Sequence, residues 1–241
     1  MRREIEIIRD DLHANAVRIV GSDVGRLTAA TEVALGLGLE VWFSPACFGY
    51  SPEETTTRLI AAAEVAAMLE EAHPGRVIFV AGQELTLFMP GILPGKNILA
   101  TGKPVIVTEF GMRTFRGAES SGALGFGVTD GKRLALHTLP LIGRFVRPRL
   151  TGTFQRDEAM QAREVAETLD ELERAGVAGA LLSTFATPRA ITDDDPRYDL
   201  DMDSMSLVKA LPGGRHGTVY PDMPWEPKEA FAAVARHFAG H

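Results

Sequence analysis

Five short runs rich in β-branched and aromatic residues, AVRIV (16–20), LEVWFSP (39–45), RVIFVAGQE (76–84), KPVIVTEFG (103–111) and GALLSTF (179–185), alternate with stretches of helical periodicity. This alternation constrains the fold more than any other feature. Near-continuous apolar runs of that length suit strands covered on both faces, and the intervening helices supply both the cover and the crossover of a parallel sheet. The helices carry their own start and stop signals. Ser22 or Asp23 can cap the helix that ends near Gly36 and Gly38, and Ser51, Pro52 and Glu54 form a capping box at the head of a helix of about six turns. A last amphipathic helix is predicted over 225–240, with Ala230, Phe231, Val234 and Phe238 on one stripe.

Polar residues sit in or at the ends of these strands: Arg18 within the first, Ser44 after the second, Gln83 and Glu84 after the third, Glu109 after the fourth and Thr184 after the fifth. Polar groups from several strands gather around one mouth in a (β/α)₈ barrel, whereas an open sheet focuses them on one or two switch points. No strand is followed by a glycine-rich phosphate loop, since the GFG at 125–127 lacks the third glycine and a preceding strand. The expected fold is therefore α/β, a (β/α)₈ TIM-barrel type in one domain spanning 1–241.

Glu109 is the residue that packing does not explain, because an unpaired carboxylate in apolar surroundings costs several kcal/mol or takes up a proton. Cleavage of a glycosidic bond needs two carboxyl groups, one to protonate the leaving oxygen and one to attack or to activate water. Glu84 and Glu109 supply such a pair. In order, NAVRI, GQE, VIVTEFG and WEPKEAF resemble features of retaining (β/α)₈-barrel glycoside hydrolases with catalytic glutamates on strands four and seven. The resemblance implies Glu84 as acid/base, Glu109 as nucleophile and Arg18 as the arginine that steadies the nucleophile. Gln83 stands where that family places an Asn that holds the sugar 2-hydroxyl, and Phe185 stands near the position of a sugar-stacking tryptophan. Only 25 residues separate Glu84 from Glu109. On this reading the first strand and the region between strands four and seven are missing, and a chain gap is expected near 93–97.

Further candidates for the mouth are Trp42, Tyr198, His216, Tyr220 and Trp225, the last three in a glycine- and proline-rich loop. The run TDDDPRYDLDMD (192–203) holds six aspartates without the ordering of a calcium loop, so a solvated, helix-capping loop is expected there and no metal site. His13, His73 and His137 have no ligand spacing. The segment 113–127 after Glu109 is glycine-rich and suits a lid. No cofactor is called for. Two other readings stay open: a barrel that binds a carbohydrate or another small ligand without hydrolysing it, and a barrel lyase or isomerase using one glutamate as base.

The net charge of −7, with no line of Lys and Arg along a helix face, argues against a nucleic-acid partner. A single cysteine, Cys47, leaves no disulfide framework, and neither a signal-peptide pattern nor a membrane-length apolar run is visible. A soluble cytoplasmic protein acting on a small molecule is the expectation, with the oligomeric state open.

Overall fold

The computed structural model describes residues 1–47, 50–81, 106–120, 127–141 and 143–240. Six α-helices and eight strands are found among them, and the chain divides into two compact units, Met1–Lys103 and Pro104–His241.

In the first unit the order is α1 (Arg2–Asp10), β1 (Ala16–Gly21), α2 (Val24–Gly36), β2 (Glu40–Pro45), α3 (Pro52–Ala72) and β3 (Val77–Phe79). The strands form a parallel sheet in the order β1-β2-β3. The sequence signals act as expected. Asp23 accepts a hydrogen bond from Arg26 N at 2.9 Å to cap α2, and Ser51 and Glu54 exchange bonds of 3.2 and 2.9 Å across the first turn of α3. At the far end of α3, Glu70 accepts from the backbone N–H groups of Gly75 (2.6 Å) and Val77 (2.8 Å), which fixes the path from helix into β3. The core gathers Val41 and Phe43 of β2, Leu27, Ala34 and Leu35 of α2, and Ala62, Ala66 and Leu69 of α3.

The second unit begins with β4 (Ile106–Phe110) and continues through α4 (Gly131–His137), α5 (Glu158–Arg174), β5 (Gly179–Leu182), β6 (Ala186–Ile191), β7 (Val208–Ala210), β8 (Trp225–Pro227) and α6 (Glu229–Ala239). β4 and β5 pair in parallel, β6 and β7 pair in parallel, and β8 runs antiparallel to β7. Phe115, Leu150, Met160 and Met202 form one buried cluster of this unit.

The barrel expectation is overturned. The eight described strands form three separate sheets of three, two and three strands, and no barrel closes among them. Closure needs every strand bonded to a parallel neighbour on both sides. Here β4 and β5 form a two-stranded sheet, and β8 runs against β7. One element is also of another kind than the sequence suggested. WEP (225–227) opens as strand β8 rather than as helix, because Pro227 pushes Glu226 into extended backbone. ATPRAI (186–191) is a strand, β6, beyond the five apolar runs. The expected gap near 93–97, with Gln83 and Glu84, lies outside the described residues.

Candidate functional site

Glu109 is the fourth residue of the five in β4. It is exposed, as is Thr108, so the desolvation cost that made a buried strand-end carboxylate anomalous is not incurred. The β4–β5 ladder pairs Ile106 with Gly179, Val107 with Ala180 and Phe110 with Leu182, and its register shifts between Val107 and Phe110. Such irregularities re-aim side chains at the ends of sheets. This one falls on the stretch that holds Glu109.

The chain leaving Glu109 is held at every step. Ser183 N donates to Phe110 O at 2.8 Å. Position 111 has to be glycine, since a Cβ there would lie 2.5 Å from Ser183 O and 3.1 Å from Met205 Cβ. The Met112 carbonyl accepts from Gln161 Nε2 at 2.8 Å, and the same amide nitrogen reaches Ser206 O at 3.2 Å. Arg113 Nε lies 3.1 Å from Asp203 Oδ1. Thr114, fully buried, donates from its backbone N to Met202 O at 3.0 Å and accepts from Lys228 Nζ at 2.9 Å. The start of the segment expected to be a lid is therefore packed, with Phe115 and Ala118 also buried; residues 121–126 lie outside the described residues.

These clamps converge on the aspartate run. Asp201 Oδ2 lies 2.9 Å from Lys228 Nζ and 3.0 Å from Arg156 Nη1, while its Oδ1 accepts from Ser204 Oγ at 3.0 Å. Asp199 takes Arg156 through bonds of 2.8–3.1 Å. Glu158 accepts from Arg156 at 3.2 Å, from Lys209 at 2.8 Å and from Glu229 N at the head of α6 at 3.3 Å. Asp203 accepts from Val128 N and Thr129 N, each at 2.9 Å, and Gly127 leaves room for it, since a Cβ there would lie 2.5 Å from its Oδ2. The expected solvated loop is thus corrected for Asp199 and Asp201. Both are buried, because cations distant in sequence neutralise them.

Burial works to lower the Lys228 pKa and prevails over Asp201, leaving it below the ordinary lysine value. Burial likewise raises the Asp199 carboxyl against the pull of Arg156. For Glu158 the balance reverses: burial acts to raise its pKa, but Lys209 and Arg156 outweigh it and hold the group low.

Beside this network opens a cleft of about 350 Å³, lined among others by Arg156, Thr192, Asp193, Asp194, Lys209, Arg215 and His216. A second hollow of about 500 Å³ shares Arg156, Asp193, Asp194 and Asp199 with it. His216 Nδ1 donates to the Pro221 carbonyl at 2.7 Å, which leaves Nε2 as acceptor in the neutral ring. Such a lining offers donors and acceptors to a small polar ligand.

The other sequence candidates scatter. In the first unit, Arg18 donates to Ser44 Oγ at 3.2 and 3.3 Å. Trp42 is 8 % exposed and its indole N–H is bonded to Glu40 at 2.7 Å, so the structure buries a residue expected to line a mouth. Phe185, Tyr220 and Trp225 do come together, with Phe231. Their rings are 5.2–6.5 Å apart and Trp225 is 3 % exposed, a packed aromatic cluster where a sugar-stacking platform was expected. The Tyr198 ring is covered by the Arg147 guanidinium 4.0 Å from its centroid. Sequence reasoning missed Arg156, Gln161, Lys209, Arg215 and Lys228. The one signal, for Arg156 and Lys228, was the aspartate run itself, which requires cations if any part of it is buried.

No family model matches the chain, and no curated protein matches it in sequence. Among the described residues, no helix is long and apolar enough to cross a membrane.

Proposed function

We propose that this protein hydrolyses O-glycosidic bonds by a retaining two-carboxylate mechanism. Glu109 attacks the anomeric carbon while a second carboxylic acid, a role the sequence resemblance assigns to Glu84, gives its proton to the departing oxygen; a water then cleaves the glycosyl ester, returning a proton to that acid. The reading needs no cofactor, and its substrate is a small carbohydrate. A reducing, cytoplasmic setting suits a chain with the single cysteine Cys47.

The observation that supports it is the exposure of Glu109 on a strand whose exit is fixed from Phe110 through Thr114. A nucleophile acts within a few tenths of an ångström of its productive position, so a rigid support under an accessible carboxylate is what the chemistry requires. The sequence resemblance to retaining glycosidases supplies the reaction class.

A second reading is favoured by the cleft beside Arg156 and His216: recognition of a small polar ligand, a carbohydrate among the candidates, without hydrolysis. A panel of aryl glycosides separates the two. Hydrolysis by the wild type that is lost in both Glu109→Gln and Glu84→Gln supports the first. Sugar binding without turnover, weakened by Arg215→Ala, supports the second. Turnover indifferent to both glutamate substitutions refutes the proposed mechanism.

A further inference from the structure

Helices α5 and α6 pack against one another, and at one end of their seam three side chains converge. Asp170 and Glu173 are three residues apart on α5, a spacing that places them on one face. His237 stands in the last turn of α6. One ligand atom from each lies within 4.8 Å of the other two, and His237 Nδ1 is 3.3 Å from Asp170 Oδ1. A tetrahedral ion with bonds of about 2.0–2.1 Å holds its ligand atoms about 3.4 Å apart, which is close to that separation.

The setting fits the geometry. The His237 side chain is 15 % exposed, whereas Asp170 is 60 % exposed, so the imidazole sits at the base and the carboxylates open to solvent. An ion can enter without the helices separating. One nitrogen and two carboxylate donors suit zinc and its neighbours; magnesium and calcium prefer an all-oxygen set. Three protein ligands leave a fourth position for water. The sequence gives no hint of this, because His237 lies 64 positions after Glu173.

We propose that Asp170, Glu173 and His237 form a binding site for a divalent transition-metal ion of the zinc type, which clips α5 to α6. It departs from the sequence-based expectation of no metal and is independent of the glycosidase reading.

The test is thermal unfolding of the metal-stripped 241-residue chain with zinc chloride, and with magnesium chloride as control. Zinc at about 100 times its dissociation constant raises Tm by roughly 5–10 °C, and magnesium gives no comparable rise. Glu173→Gln, an exposed change that leaves the Asp170–His237 pair in place, removes most of the zinc-dependent rise, and His237→Ala abolishes it. Cobalt(II) bound to the wild type shows the visible absorption of a tetrahedral site. No zinc-dependent rise in the wild type overturns the site, as does a rise that survives either substitution or is matched by magnesium. A simple ion pair between Asp170 and His237, which needs no metal, gives the first of these results, no zinc-dependent rise.

Discussion

Lys228 and Asp201 meet at 2.9 Å with neither side chain exposed by more than 1 %. Lys228 follows β8 and precedes α6, while Asp201 belongs to the aspartate run, so this one contact ties the end of the sheet to the loop that supports the exit of β4. A buried pair of this kind adds little stability over an apolar replacement, but breaking it leaves a charge without its partner.

Asp201→Leu, which leaves the buried Lys228 ammonium without its carboxylate, therefore costs about 3–5 kcal/mol in chemical denaturation. Lys228→Met combined with Asp201→Leu loses less than the two single changes added together, because the orphaned charge is gone. Additive losses would show that the pair does not act as a unit.

Glu158 gives the pH dependence. Its folded-state pKa is held below the ordinary value, so its contribution is present above the unfolded carboxylate pKa and is lost as pH falls through the folded one. Glu158→Gln should thus destabilise by about 1–2 kcal/mol at neutral pH and by progressively less toward acid. Denaturation midpoints of the two proteins, measured from pH 7 down to pH 3, are expected to converge.

Gly111→Ala should destabilise by about 1–3 kcal/mol, since the new methyl meets the Ser183 carbonyl at 2.5 Å and cannot displace backbone cheaply. Gly36→Ala, with nothing within 4 Å of the added carbon, is the control and should cost nothing. Where the first change also moves Glu109, any turnover falls further than the loss of folded protein explains.

The sequence made the local structure legible and the closure illegible. Ser51 and Asp23 announce their helices, and each caps as its residue type dictates. The five apolar runs all contain strands. Whether those strands close into a barrel depends on pairing between distant segments, and nothing in a periodicity carries that. The three-residue strands β7 and β8 are too short to show alternation. At the site, Glu109 stood out because it interrupts an apolar run, and its exposure removes the desolvation cost that made it stand out. Arg156 and Lys228 did not stand out. Their aspartate partners lie up to 45 residues away in the chain, and a lone cation in sequence looks the same whether it faces water or a buried aspartate.

The nucleophilic role of Glu109 is tested most directly by trapping. Incubation with a panel of 2-deoxy-2-fluoroglycosyl fluorides stalls a retaining enzyme at its glycosyl ester, and mass spectrometry locates the adduct. One added sugar is expected on the peptide containing Glu109, absent in Glu109→Gln. An adduct on a different carboxylate, or steady hydrolysis of aryl glycosides by Glu109→Gln, would contradict it.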